Sequence, residues 1–223
     1  MLGLKHALDA DHLAAVSTMA AERRSLLDSS LIGILWGAGH TAALMIAGLL
    51  VIFLHLQIGE RTSKALEFCV GVMLIVLGAS ALRRLARSRK IHMHAHEHHG
   101  FWHVHPHLHG RNDDAPHRHH GLASGVRPVL VGMMHGLAGS AALTLLVLAT
   151  IPNPALGLIY IMVFGVGSIG GMMIMSTLFA LPSKLTSRRF TRANVAVRMI
   201  TGVFSTGFGL VMVYDIGVNH LLR

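Results

Sequence analysis

Long apolar segments separated by short polar ones dominate the chain. Five of them are clear, and they run over residues 29–56, 66–82, 126–151, 155–182 and 195–218. Each approaches or exceeds the ~20 residues that a helix needs to cross a ~30 Å hydrocarbon layer. The short alternating pattern of an outer-membrane barrel is absent from the sequence. The pattern therefore predicts an all-α, polytopic membrane protein.

A sixth candidate span opens the chain, but it carries polar residues. Residues 1–21 read MLGLKHALDADHLAAVSTMAA, and each central Asp would cost ~2.5–3.5 kcal/mol on insertion scales. The segment is no signal peptide, because its charges fall where the apolar region of a signal should be. It is either a surface helix or a span whose polar face is buried in protein. In the second case its ionisable side chains are candidates for function.

Composition supports the membrane class and disfavours others. Hydrophobic residues make up 52% of the chain and charged residues only 13%, against roughly 25% charged in a soluble domain. A soluble enzyme and a disordered chain are both disfavoured on this ground. We interpret the formal charge of +9 as loop charge that orients helices, and expect no nucleic-acid partner. The single cysteine, Cys69, excludes a disulfide within the chain and any multi-cysteine metal site.

The positive charges also predict how six helices would be oriented. The loops after the first, third and fifth helices carry fifteen Lys and Arg residues, against three on the other side. The positive-inside rule places the richer side in the cytoplasm. We therefore expect a multi-pass protein of the inner or plasma membrane, with a cytoplasmic loop over residues 87–124 and both termini outside.

That loop holds most of the histidines. Twelve of the 18 histidines lie between residues 92 and 120, with Gly and Pro interspersed. No apolar periodicity survives there, which predicts a flexible loop. Neutral imidazoles in a mobile chain would buffer cytoplasmic metal, and a tract without a required role is the alternative. The histidines concerned are His92, His94, His96, His98, His99, His103, His105, His107, His109, His117, His119 and His120.

The two halves of the chain resemble each other. GLKHAL at 3–8 recurs as GMMHGL at 132–137, and GAG at 37–39 recurs as GVG at 165–167. Gly71 and Gly78 recur as Gly202 and Gly209, so that the three offsets are 129, 128 and 131 residues. Halves of three spans each have opposite topology, as in many transporters that bind their substrate at the repeat interface. The predicted units are a first three-helix repeat (1–86), the histidine-rich loop (87–124) and a second three-helix repeat (125–223).

The polar residues of the first segment form a dense set of metal ligands: His6, Asp9, Asp11 and His12. Imidazole suits nickel, copper, zinc and iron, and a carboxylate neutralises part of the charge of a divalent cation. On a regular helix His6, Asp9 and His12 share one arc of about 120°, whereas Asp11 lies on the other side. Either Asp11 pairs with another group, such as Lys5 or a neighbouring helix, or the helix is distorted there. A surface helix with solvated charges is the alternative.

Two more histidines lie inside predicted spans. His40 belongs to WGAGHT (36–41) and His135 to GMMHG (132–136). A lone histidine in a span is more often a packing residue, but the neighbouring glycines allow another backbone to approach closely. We expect both side chains to line the path of a cation, with Thr41, Ser140 and Ser168 as weaker polar neighbours.

These motifs resemble those of a known family. LKHALDADHLAAV, with the H-x4-D-H pattern of His6, Asp11 and His12, resembles the signature helix of the nickel/cobalt permeases, the NiCoT family, and of their short UreH-type urease accessory relatives. LWGAGHTAAL and GMMHGLAGSAAL are similar to further helices of these proteins. The resemblance implies translocation of Ni²⁺ or Co²⁺ with His6, Asp11 and His12 central to recognition. It therefore favours Asp11 where the regular helix favoured Asp9.

The chain departs from the family pattern in two respects. Family members usually carry a transmembrane helix before the signature helix, whereas this chain begins almost at the motif, which suggests an N-terminally shortened form or a mis-assigned start. The long histidine-rich loop is more similar to nickel/cobalt efflux relatives than to high-affinity importers. The direction of transport stays open.

Three functions are compatible with these residues. The first is transport of Ni²⁺ and/or Co²⁺ as substrate, without a prosthetic group or enzymatic activity, and weakened by acid because ligand histidines must be neutral. The second is membrane metal delivery of the urease accessory type, with a cytoplasmic metallochaperone or urease system as partner. The third is a di-iron membrane enzyme, since His94, His98 and His99 mimic one histidine box, although they crowd into one loop with Gly and Pro.

Overall fold

The computed structural model describes residues 2–21, 23, 25–54, 59–88, 92–98, 101–107, 123–138, 150–151, 153–187 and 191–221. Within these ranges the regular secondary structure is helical apart from one β-hairpin. The helices are α1 (Leu2–His6), α2 (Ala10–Ala21), α3 (Leu26–Leu54), α4 (Glu60–Ser88), α5 (Ala123–Leu137), α6 (Pro154–Ser187) and α7 (Thr191–Ile216), and a π-helical turn, Gly217–Leu221, follows α7. The hairpin consists of β1 (His92–His98) and β2 (Phe101–His107).

Four helices are long and apolar enough to cross a membrane. These spans are Leu26–Leu54, Glu60–Arg87, Pro154–Pro182 and Ala193–Asn219. They correspond to four of the five predicted apolar stretches and confirm the all-α, polytopic membrane class. The fifth stretch, 126–151, begins in α5, and its residues 139–149 lie outside the described part of the chain. Large apolar side chains such as Phe53, Val166 and Ile200 are more than 60% exposed, as lipid-facing residues would be.

The long helices of the two halves pack against each other in pairs. α3 contacts α6, and α4 contacts α7. In the second pair, a Cβ added at Gly71 would lie 3.3 Å from the Gly209 carbonyl oxygen, and a Cβ added at Gly78 would lie 2.6 Å from the Gly202 carbonyl oxygen. Since Gly71 recurs as Gly202 and Gly78 as Gly209, the contacts are crossed, which is what two halves related by a two-fold axis would give. The unit limits at 86/87 and 124/125 stay a prediction.

The shorter helices pack through glycine in the same crossed manner. A Cβ at Gly132 in α5 would collide with the Trp36 carbonyl oxygen in α3, and a Cβ at Gly3 in α1 with the Phe164 carbonyl oxygen in α6. Trp36 and Phe164 are 128 residues apart, which is the offset of the glycine motifs that follow them. A glycine at each position therefore lets α1 and α5 approach the backbones of the long helices.

The polar first segment is buried in protein. Residues 2–21 form α1 and α2 with a turn between them, and Ala14, Ala15, Val16 and Ala20 of α2 are at most 1% exposed. The Thr18 hydroxyl donates to the Thr201 carbonyl oxygen of α7 at 3.1 Å. The surface-helix alternative is therefore wrong, because this segment packs among the long helices.

The loop between the halves contains an antiparallel hairpin. Its register places His92 opposite His107, His94 opposite His105, and His96 opposite His103. This differs from the flexible loop that we expected, because histidine at every second position has the two-residue period of a strand. The remaining loop histidines lie outside the described residues, namely His99, His109, His117, His119 and His120.

Candidate metal centre

A break between α1 and α2 determines where the predicted ligands of the first segment lie. α1 ends at His6, the chain turns through residues 7–9, and α2 begins at Ala10. In the turn the Leu8 amide donates to the Lys5 carbonyl oxygen at 2.9 Å, and the Asp9 amide to the His6 carbonyl oxygen at 3.1 Å. These bonds span three residues and are tighter than α-helical ones. The helix is thus distorted where a regular helix left Asp11 on the wrong side.

In the second half, α5 ends at the equivalent place. The Ala138 amide donates to the His135 carbonyl oxygen at 3.2 Å, just after α5 ends. Ala138 follows Asp9 by 129 residues, and His135 follows His6 by the same number. The same tight bond therefore follows the equivalent histidine in both halves. Discontinuous helices like the one formed by α1 and α2 line the binding sites of many transporters.

Four buried histidines meet near these helix ends. His6 Nε2 and His40 Nε2 are 3.2 Å apart. The His12 ring centroid lies 4.5 Å from that of His6 and 4.9 Å from that of His135. His12 and His40 are 0% exposed, His135 is 1% exposed and His6 is 8% exposed. The structure thus brings together all four histidines that the sequence placed in apolar surroundings.

In three of these rings the Nδ1 atom lies within hydrogen-bond distance of an oxygen acceptor. His6 Nδ1 lies 2.9 Å from Asp9 Oδ2, and His12 Nδ1 lies 3.0 Å from Asp11 Oδ1. His135 Nδ1 lies 3.3 Å from the Val131 carbonyl oxygen. With Nδ1 as donor, each contact fixes the orientation of the ring and leaves Nε2 to bind a metal.

The ligand atoms form two overlapping sets. Those of His6, His12 and His40 lie within 4.8 Å of one another, and so do those of Asp11, His12 and His135. Two nitrogens that bind one ion at ~2.0–2.1 Å each stand about 3–4 Å apart. Both sets would therefore need only a small contraction to bind an ion, and His12 belongs to both.

The chemistry of the donor atoms fits a transition-metal ion. His12 Nε2, His40 Nδ1 and His135 Nε2 are buried without a hydrogen-bond partner. A buried polar atom in that state costs about 1–3 kcal/mol, and a bound cation would satisfy it. Imidazole with one carboxylate suits nickel, copper or zinc better than magnesium or calcium, which prefer oxygen ligands.

The two carboxylates differ in position. Asp11 belongs to a ligand set, and its Oδ2 lies 3.8 Å from His135 Nε2. Asp9 belongs to neither set, its side chain is 44% exposed, and its contact is with His6. The arrangement agrees with the weight that the sequence resemblance gives to Asp11, and it assigns Asp9 a supporting position.

The predicted polar neighbours contribute to helix packing. The Ser168 hydroxyl donates to the Gly3 carbonyl oxygen and the Thr41 hydroxyl to the Gly165 carbonyl oxygen, both at 3.4 Å. Ser140 lies outside the described residues.

Two aromatic residues that sequence reasoning missed lie against the histidines. The Trp36 ring centroid is 5.4 Å from those of both His12 and His135, and the Phe164 centroid is 5.3 Å from that of His6. Trp36 is 0% exposed and Phe164 7% exposed. Each directly precedes one of the repeated glycine motifs, so the repeat itself was the signal that could have found them.

Comparisons with known proteins give a family and three relatives. The family model described as the cytochrome C biogenesis protein transmembrane region matches residues 12–204. The chain is 38% identical over 220 residues to the urease accessory protein UreH of Bacillus sp. (strain TB-90), which covers 99% of this chain and 90% of that relative.

The other two relatives are chloroplast proteins of Arabidopsis thaliana. The chain is 23% identical to FOR GROWTH AND FERTILITY 2 and 24% identical to FOR GROWTH AND FERTILITY 1. The matches cover 95% and 94% of this chain but only 54% and 56% of those longer proteins. No solved structure gives a significant match.

Proposed function

The chain belongs to the UreH-type membrane proteins and to the family of the cytochrome c biogenesis transmembrane region, and on that premise we propose that it delivers a divalent transition metal, nickel in the first place, to a urease system. The observation that carries this proposal is the convergence of four buried histidines and Asp11 on two overlapping ligand sets. The relative's name supplies the urease system as the partner class, and a cytoplasmic metallochaperone would serve as an intermediate.

The ligand atoms support the choice of metal. Nitrogen ligands with a single carboxylate favour Ni²⁺, Co²⁺ or Zn²⁺ over the hard cations. The resemblance of His6, Asp11 and His12 to the NiCoT signature selects nickel and cobalt among these. The metal is the substrate of the protein, so no prosthetic group and no catalytic step are required.

Transport across the bilayer is the second function, and the position of the ligands favours it. The histidines come from α3, which is long enough to span a membrane, and from the shorter helices α1, α2 and α5 beside it, and they are almost completely buried. A protein that only hands metal over in the cytoplasm would need ligands at its surface. We therefore propose that nickel or cobalt passes through this centre, in a multi-pass protein of the inner membrane.

Nickel content and urease activity test both functions in one strain. Cells that express His12→Ala or His135→Ala should lose urease activity that depends on limiting nickel, because each change removes a ligand. Lowered ⁶³Ni content would indicate import, and raised content with raised nickel sensitivity and retained urease activity would indicate export. Unchanged content with lost activity that excess nickel does not restore would indicate delivery without transport.

Ser176→Ala is the matched control, since Ser176 is also fully buried but contacts Ser29, away from the histidines. It should behave like the parent in all three measurements. If both histidine variants reach parental membrane levels and leave content, sensitivity and urease activity unchanged, the histidines do not form the functional site.

A further inference from the structure

A cavity of about 430 Å³ adjoins the metal centre. It lies between the start of α2, where Asp11 forms part of its wall, and the last turns of α7, from Phe208 to Asp215. Phe208 and Asp215 are seven residues apart in the helix, which corresponds to a rise of roughly 10 Å along its axis. The cavity thus leads from a ligand of the centre to the end of a membrane-spanning helix.

Asp11 connects the cavity with the histidines. Its side chain is 24% exposed, whereas those of His12 and His135, which it contacts, are 0% exposed. Among the members of the two ligand sets it is the most exposed, and it lines the cavity. Solvent in the cavity therefore reaches the centre first at this carboxylate.

Asp215, in the last turn of α7, also lines the cavity and is exposed. Its carboxylate accepts a hydrogen bond from the Asn219 side-chain amide at 2.8 Å. That amide is neutral and does not compensate the negative charge of Asp215. The rest of the wall is formed by Ala10, Phe208, Val211, Met212 and Tyr214. The cavity therefore has two carboxylates in its wall and, among the described residues, no imidazole.

We propose that this cavity, the Asp215 vestibule, is the aqueous passage through which a hydrated divalent cation moves between solution and Asp11. The inference rests on the proposed function and extends it to a recruiting residue. Six waters at about 30 Å³ each occupy less than half of the cavity, so a hydrated ion fits. The Asp215 charge raises the local concentration of cations, and Asp11 then offers the first ligand oxygen.

Cysteine labelling tests whether the vestibule holds water. Met212→Cys, in a Cys69→Ser background and reconstituted into vesicles, should react with a charged, membrane-impermeant methanethiosulfonate reagent. Ile200→Cys on the same helix is the control, because Ile200 is 67% exposed and lies away from the cavity. We expect at least tenfold faster labelling at residue 212, and slower labelling when Co²⁺ is present. Equal rates at the two positions would overturn the vestibule without touching the histidine centre.

Metal flux tests the recruiting role of Asp215. Asp215→Asn should raise the Co²⁺ concentration for half-maximal flux into vesicles by roughly three- to tenfold, without lowering the maximal rate. Equilibrium binding of Co²⁺ in detergent should stay unchanged, because Asp215 is no ligand. Glu60→Gln, an exposed acid at the start of α4, removes the same charge outside the cavity and should have no effect.

The outcomes separate the two proposals. If the parent carries Co²⁺ and Asp215→Asn matches both the parent and Glu60→Gln, the recruiting role is wrong and the proposed function stands. If the parent neither binds nor carries Co²⁺ or Ni²⁺, the proposed function and the vestibule fall together.

Discussion

At the scale of single residues, pairing between histidine and carboxylate organises the centre. Asp9 and Asp11 each contact the Nδ1 atom of one histidine, at 2.9 and 3.0 Å. Only Asp11 also approaches a second histidine, His135. The two acids therefore make similar first contacts but differ in what else they can bind.

This difference predicts unequal losses of metal affinity. Asp11→Asn should lower the affinity for Co²⁺ by about 100-fold, because it weakens a direct ligand as well as the support of His12. Asp9→Asn should lower it by about tenfold, which is typical when an outer partner of a ligand histidine is lost. Titration of the purified protein, followed by the visible absorption of Co²⁺, measures both.

Asp28→Asn is the charge-matched control for these variants, since Asp28 lies in the first turn of α3 and belongs to neither ligand set. It should bind like the parent. A larger loss with Asp9→Asn than with Asp11→Asn would contradict the assignment of the two roles.

At the scale of the elements, close contacts at glycine hold the helices together. In α7 a Cβ at Gly209 would lie 2.6 Å from the Gly71 carbonyl oxygen, whereas one at Gly207 would meet nothing within 4 Å. The two positions are two residues apart on one helix and differ in what they face. Glycine is thus required by contact at the first and is optional at the second.

Alanine substitution should separate these positions. Gly209→Ala should destabilise the protein by about 1–3 kcal/mol, because the methyl group would push α4 and α7 apart. Gly207→Ala should be neutral or should stabilise by up to about 1 kcal/mol, since alanine favours the helix. Thermal unfolding in detergent, followed by circular dichroism, measures both. Equal midpoints for the two variants would argue against the α4–α7 contact.

At the scale of the whole molecule, two similar halves carry an asymmetric set of candidate ligands. His6 recurs as His135, and Trp36 recurs as Phe164. Apart from His6 and His135, the candidate ligands have no equivalent in the other half. The position of His40, for example, holds Ser168 in the second half. The first half therefore supplies most of the candidate ligands, and the second half supplies one histidine and much of the surrounding structure.

The orientation of the molecule can be tested with fusion reporters. We expect green fluorescent protein to be fluorescent, and alkaline phosphatase inactive, when either is fused after residue 113 in the histidine-rich loop. The pattern should reverse for fusions at the C-terminus, because three spans separate the two sites. A fusion after residue 57 is the control and should match the C-terminus. The same pattern at residue 113 and at the C-terminus would contradict the predicted arrangement of six spans.

The sequence predicted the membrane class of the protein from the length of its apolar spans. It also predicted the four histidines of the candidate centre, because their residue type and apolar surroundings suffice to select them. The sequence left the break at residues 7–9 as one of two alternatives, because no Pro or Gly marks it there. Only contacts with the second half reveal that Asp11 lies beside His135. The hairpin was missed because alternation among histidines was interpreted as low complexity.

The sharing of His12 by the two ligand sets has a kinetic consequence. An ion that moves from the set with His6 and His40 to the set with Asp11 and His135 could keep its bond to His12 throughout. Such a step is a ligand exchange at an ion that is never fully released. The free-energy barrier of the step would then reflect the breaking of one or two metal–ligand bonds rather than complete rehydration of the ion. A centre with several strong ligands would therefore still release its ion fast enough for repeated transport.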